Sequence, residues 1–223
     1  MRARSEVLQE PGEETRQRLI DAALAVFGEF GFDGASTRML ADRARANLAA
    51  IPYHFRSKEG LYRAAAQYIV DRVAEQTAPL LEEIEQALRI LPLERGKALE
   101  LMHRYTDTLV AILVGSREAD GWAAFIMREQ LQPGAAFDVL YEGMMRRVGD
   151  AGTALLASIL KRPKNDPTVN LRSVALLGQI LIFRNCRQTA LRRLGWKEFS
   201  DDRLKLIQSV IRENVDLIVA GAV

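Results

Sequence analysis

Apolar residues recur at three- and four-residue spacing along almost the whole chain, and nowhere do they sustain the two-residue alternation of a half-buried strand. With no Asn-Gly hairpin turn either, the pattern predicts an all-α fold of about nine helices. Glycine and proline mark the breaks. A first helix is expected from Glu14 to about Gly28, with Leu19, Ala22, Ala23, Val26, Phe27 and Phe30 along one stripe. Two short helices should follow over 37–44 and 48–54, then a longer one from Lys58 toward Thr77. Pro79 and Pro92 set off helices over 79–90 and 93–114, and Pro133-Gly134 ends another over 120–131. A long helix then runs to about Leu160, a loop spans Lys161–Pro167, and helices over 168–194 and 201–220 close the chain. Residues 1–13, polar and containing Pro11 and Gly12, are expected to form a flexible arm.

Composition narrows the function. Hydrophobic residues make up 48% of the chain, enough for a substantial core, and the net charge of +2 is too small to argue for nucleic acid by itself. The distribution says more. Between Ser36 and Arg63 lie six cations (Arg38, Arg43, Arg45, Arg56, Lys58, Arg63) against Asp42 and Glu59. That local balance of +4 is twice the charge of the whole chain, a footprint suited to phosphates. The single cysteine, Cys186, permits no disulfide within the chain and is expected to serve as a small buried hydrophobe in a reducing cytoplasm. No basic-then-apolar leader opens the sequence, and apolar stretches such as Ala175–Phe183 are interrupted, here by Gln179, so no membrane span is expected. With two histidines and one cysteine, neither a metal site nor another cofactor is expected. Nor is there a nucleophile–base set or a Gly-rich phosphate loop, so the chain does not read as an enzyme.

The segment Ser36–Ile51 has the layout of a helix-turn-helix. Ser36 is a good N-cap, Met39, Leu40 and Ala44 supply an inward face, and Ala41 is small enough for a second helix to cross closely. Arg45-Ala46 makes the turn, Asn47 caps the second helix, and Ile51 and Phe55 enter the core. In such a motif the first residues of the second helix meet base edges in the major groove of double-stranded DNA. Here those are Leu48, Ala49 and Ala50, which can touch a thymine methyl but cannot make bidentate hydrogen bonds. Arg38 is the candidate for a guanine or a phosphate. Thr37, Tyr53, His54 and Lys58 are phosphate candidates, Lys58 because it stands at a helix start where free N–H groups already favour an anion. For Tyr53 a core position is the alternative.

The runs Phe27-Gly-Glu-Phe-Gly-Phe-Asp-Gly-Ala-Ser-Thr37, Ala41-Asp-Arg-Ala44 and Tyr53-His-Phe-Arg-Ser-Lys-Glu-Gly-Leu-Tyr62 closely resemble the head of TetR-family repressors. Further on, Leu140-Tyr141, Asp166-Pro167, Gly178-Gln-Ile-Leu-Ile-Phe-Arg184 and Ala190-Leu-Arg-Arg-Leu-Gly-Trp196 resemble the C-terminal domain of the CecR-like (YbiH-like) branch, whose members are linked to drug sensitivity and efflux-type genes. The resemblance implies a three-helix DNA-binding head over 14–63 and a helical ligand-binding and dimerisation body over 64–223. It also implies a homodimer on a palindromic operator. Two positions depart from the family: Arg45 replaces the usual turn glycine, and Pro52 lies within the recognition helix.

On this basis the chain is expected to be a regulator, most simply a repressor, released by a small hydrophobic or drug-like effector. The alternative is a constitutive dimeric DNA binder with no small-molecule switch. Candidate pocket residues are Met102, His103, Tyr105, Thr106, Trp122, Phe125, Ile126, Glu129, Met145 and Phe183, although aromatic and Met stripes also suit a plain core. Arg184 and Arg187 lie one turn apart and are expected to pair with acids such as Glu129 or Asp107, the alternative being an anionic ligand. Leu171, Val174, Leu177 and Leu181, with Leu204, Ile207, Ile211 and Val215, are expected to form the dimer interface. Ligand binding would tilt the Lys58-initiated helix and change the spacing of the two heads.

Overall fold

The computed structural model describes residues 11–90 and 92–221. Among them every regular element is a helix: α1 (Pro11–Gly34), α2 (Thr37–Ala44), α3 (Ala50–Phe55), α4 (Lys58–Arg89), α5 (Arg95–Val110), α6 (Arg117–Leu131), α7 (Phe137–Leu140), α8 (Arg146–Leu160), α9 (Pro167–Asn185), α10 (Arg187–Leu194) and α11 (Asp201–Ala220). Two π-helical turns, Ala111–Gly115 and Tyr141–Met145, follow α5 and precede α8. The count exceeds the expected nine because the π-turn divides one long helix and Cys186 separates α9 from α10. In the other direction, Pro79 does not end a helix but lies within α4. Three residues of the expected arm, 11–13, belong to α1, and the rest of that arm lies outside the described residues.

The chain forms two compact units. The first comprises the residues through Val70 together with Gly121–Leu140, and the second Asp71–Asp120 with the residues from Tyr141 onward. The expected boundary after residue 63 therefore differs from the compact units, because most of α6 packs with the head. Leu19, Ile20, Phe27, Leu40, Ile51 and Leu61 are buried in the first unit. Tyr62 stands between Phe27 and Phe125, with ring centroids 4.7 and 4.9 Å away. Arg128 on α6 donates to the Glu29 carbonyl at 2.8 Å, satisfying a carbonyl near the end of α1.

A buried polar contact fixes α6 to α4. Glu129, 1% exposed, accepts hydrogen bonds from the Tyr62 hydroxyl and from the Gly134 N–H, the latter at 3.1 Å. Burial first, then the bond to Glu129, holds the Tyr62 phenol well above its ordinary range, so it remains a donor. Tyr62→Phe should lower stability by about 2 kcal/mol, because the buried Glu129 carboxyl loses its side-chain partner. Chemical denaturation would read this, and an unchanged midpoint would show that the contact contributes nothing.

The second unit buries Ile84, Leu101, Leu155, Leu156, Ile180, Ile207, Ile211 and Val215 in one core. Asp166 opens α9 by accepting from the N–H groups of Thr168 and Val169, and these bonds hold its carboxyl below the usual range. Cys186, expected to be buried, is exposed at the break between α9 and α10. Glu129 and Asp107, the acids expected to serve Arg184 and Arg187, are both engaged by other groups. Asp107 pairs with Arg212, and Arg187 lies 4.8 Å from the centre of the Phe199 ring. No helix among the described residues is long and apolar enough to cross a membrane.

Candidate nucleic-acid interface

The first unit presents a helix-turn-helix. Ser36 caps α2, its hydroxyl accepting from the Met39 N–H at 3.1 Å. Arg45 ends α2 in the left-handed region (φ 50°, ψ 44°), and the Ala46 N–H returns to the Ala41 carbonyl at 2.9 Å, closing a Schellman turn. A side chain in this conformation is strained where glycine is not. Arg45→Gly is therefore expected to raise stability by about 0.5–1 kcal/mol, read as a higher denaturant midpoint. A lower midpoint would mean that the arginine side chain offsets its backbone.

The recognition helix starts later than the sequence pattern predicts. Asn47 accepts from the Ala49 N–H at 2.9 Å, a tight turn follows, and α3 begins at Ala50. Pro52 is thus in the first turn of the helix, where its missing N–H is tolerated. The Leu48 carbonyl, left without that donor, receives the Ile51 N–H at 3.3 Å instead, so the proline tightens the turn and does not break the helix. Ile51 and Phe55 are buried, anchoring α3 from behind.

The expected contact residues stand on the surface. Thr37, Arg38, Leu48 and Ala49 are exposed, Ala50 and His54 are half-buried, and Tyr53 is 82% exposed, which excludes the core alternative for it. Lys58 is different. Its ammonium donates to the carbonyls of Phe32 and Ala35 at 2.7 and 2.8 Å and lies 4.3 Å from the centre of the Phe32 ring. It is bound into the head, a structural role that its sequence position does not distinguish from a phosphate contact. Arg63 pairs with Glu59 at 3.0 Å. The basic surface therefore rests on Arg38, Arg43, Arg45 and Arg56, all exposed.

The link from α3 to α4 carries geometry that spacing alone did not reveal. Arg56 adopts φ 69° and ψ −41°, and the Ser57 N–H donates to the Phe55 carbonyl at 2.8 Å, a γ-turn of the strained positive-φ kind. Ser57 caps α4 through the Gly60 N–H at 3.0 Å. A Cβ on Gly60 would stand 1.9 Å from the Phe55 carbonyl oxygen. The run Arg-Ser-Lys-Glu-Gly was the available signal, and its glycine marks this close approach.

The ten expected pocket residues are divided between the two units. Trp122, Phe125 and Glu129 belong to the first unit and are buried in it, and Ile126 also lies there. Met102, Tyr105 and Thr106 line a small hollow in the second unit. His103 bonds to Asp216 at 2.9 Å instead, Phe183 packs edge-on to Phe199, and Met145 sits in a π-turn. Of the expected interface residues, Leu171 and Val174 are about 70% exposed, and Leu177, Leu181 and Leu204 are half-buried. Ile207, Ile211 and Val215, also expected there, are at most 3% exposed and belong to the core of the protomer, which leaves them little surface to offer a partner. A neighbouring face of α11 exposes Leu206, Val210 and Leu217.

Comparison with known proteins agrees with this geometry. Residues 19–65 match the tetR family of bacterial regulatory proteins, and residues 98–222 match the C-terminal domain of the HTH-type transcriptional dual regulator CecR. The chain is 38% identical to CecR of Shigella flexneri over 94% of its own length and 93% of that protein. It is 27% identical to the HTH-type transcriptional regulatory protein RaaS of Mycobacterium tuberculosis (strain ATCC 25618 / H37Rv), over 72% of this chain and 66% of that one. The fold is shared with HlyIIR, a hemolysin II transcriptional regulator, at TM-score 0.56 and 17% identity over 89% of this chain and 97% of that one. The exposed reading face is thus that of a DNA-binding helix-turn-helix, and the chain belongs to the TetR family of transcriptional regulators, with a C-terminal domain of the CecR type.

Proposed function

We propose that this regulator is a ligand-responsive repressor that binds a palindromic operator as a homodimer and is released by a small hydrophobic effector. The observation that carries the reading is the apolar face left uncovered on the second unit. On α9, Leu171, Val174 and Ile182 are exposed, and on α11, Leu206, Val210 and Leu217. The two helices are tied by Asn214 donating to Gln179 at 2.8 Å. Helix α9 is apolar on its inward and outward sides alike, a pattern that calls for burial on both. A second copy of the same face covers it by two-fold symmetry. Two heads on one dimer then read two half-sites about 34–36 Å apart. Base contact falls to Leu48, Ala49, Ala50 and Arg38, and register to Thr37, Tyr53 and His54.

Val174→Glu tests the dimer. Sedimentation should give a monomer, and affinity for an inverted repeat from the DNA beside the gene should fall about 100-fold, while unfolding stays cooperative. A dimer that persists with its operator affinity intact would overturn this interface. A constitutive dimeric regulator remains the second reading, because the hollows in the second unit are small as they stand. Effector control of α4 draws support from Thr77, Leu80 and Leu81, which line one of those hollows and lie on the helix that follows the recognition helix. Thermal-shift screening against hydrophobic drugs separates the two readings. A ligand-gated repressor is stabilised by at least one compound that also weakens operator binding, and a constitutive one by none.

A further inference from the structure

Two apolar hollows lie in the second unit, of about 270 and 200 Å³ counted with the solvent at their mouths. The enclosed space in each is only about 10 Å³, room for about one water, far below the roughly 300–1,000 Å³ of small-molecule sites. They share two wall residues, Tyr105 and Leu109. Tyr105 is 8% exposed, and its hydroxyl is held by the Val148 carbonyl at 3.0 Å. Its ring fits there because position 152 is glycine: a Cβ at Gly152 would stand 2.8 Å from the phenol oxygen. The helices on either side, α5 and α8, each border a π-helical turn, at Ala111–Gly115 and Tyr141–Met145. Such turns mark places where a helix can slip by a residue, and they recur at functional sites.

We infer that Tyr105 is a gate: rotated away from Val148, it joins the two hollows into one site for an uncharged, mostly apolar molecule. The lining sets the charge. Among the described residues no charged side chain borders either hollow, and the threonine and serine hydroxyls there are already engaged within the protein: Thr106 with the His103 carbonyl, Thr77 with that of Val73, Thr108 with that of Arg104, and Ser173 with Thr153. A sulfonate or ammonium moved into this space would lose its hydration with no counter-charge in return. The inference rests on the body being the effector-binding part, and it adds the ligand class and the residue that controls entry.

The test uses N-phenyl-1-naphthylamine, neutral at pH 7 and fluorescent in apolar surroundings, beside its sulfonate relative 1-anilinonaphthalene-8-sulfonate, with the full-length protein. If opening the gate limits binding, the apparent dissociation constant is raised by the scarcity of the open state. Tyr105→Ala should then bind the naphthylamine about tenfold more tightly than the wild type. Tyr105→Phe, which keeps the ring and loses only the bond to Val148, should bind about threefold more tightly. Leu109→Trp, filling the shared wall, should abolish binding, and the sulfonate should not compete. Equal naphthylamine binding in all four proteins, or competition by the sulfonate at similar concentration, overturns the gate. Operator affinity measured in the same samples keeps the two readings apart. Tyr105-dependent binding with unchanged operator affinity upholds the gate and removes ligand-gated repression. Operator release indifferent to Tyr105 and Leu109 does the reverse.

Discussion

Gly60→Ala is expected to abolish operator binding and to destabilise the head by about 3 kcal/mol or more. The methyl group would meet the Phe55 carbonyl oxygen at 1.9 Å, far inside any tolerable contact, and the obstacle is backbone, which cannot rotate aside. That carbonyl is already held by the Ser57 N–H in the γ-turn at Arg56, a strained conformation with little room to adjust. Relief requires α3 to move away from the start of α4. Buried Ile51 and Phe55 anchor α3, so such a movement also uncovers core. If the exposed Leu48–Ala49 turn meets base edges as proposed, displacement by about an ångström is enough to lose them. Thermal unfolding followed by gel shift on the operator would measure both losses. A variant that melts within about a degree of the wild type and binds DNA within twofold would show that the close approach does not constrain the head.

The physics of this chain explains which parts of it were legible in sequence. The all-α fold was, because helical periodicity is local and repeats in every segment. The Ser36 cap was, since a hydroxyl three residues before a free N–H acts within one turn. The exposure of Thr37, Arg38 and Leu48 followed from the same short-range logic. What periodicity cannot supply is the identity of the partner across the core. Trp122, Phe125 and Glu129 look like pocket walls in sequence, yet they pack within the first unit, with Phe125 and Glu129 against Tyr62. Helix α11 carries two apolar stripes. The Ile207–Ile211–Val215 stripe, strictly at four-residue spacing, suits a dimer face by pattern, whereas the structure buries it in the protomer and exposes Leu206, Val210 and Leu217. Both stripes satisfy the pattern, and only tertiary packing decides which faces inward. Pro79 was read as a break for a similar reason: a proline removes one hydrogen bond, and the rest of a 32-residue helix outweighs that loss.

Lys58 offers the clearest separation of the two kinds of role a cation can have beside DNA. By position it belongs at a phosphate, since it opens α4 where free N–H groups point outward. By geometry its ammonium already donates to two carbonyls, those of Phe32 and Ala35, and faces the Phe32 ring. Hydrogen bonds to a charged donor contribute about 1.5–3 kcal/mol each when both partners are held, and the cation–π contact adds to them. Lys58→Ala removes all three and leaves two carbonyls near the end of α1 in need of water. The expected loss is about 3 kcal/mol, seen without DNA as a lower denaturant midpoint. Operator affinity should fall with it, because α1 and α4 frame the recognition helix. The salt dependence distinguishes this from a phosphate contact, whose removal lowers the slope of log affinity against log salt by about one. For a structural clamp the slope stays unchanged while the midpoint drops. A slope lower by one with an unaltered midpoint would return Lys58 to the phosphates and leave the carbonyl bonds without energetic weight.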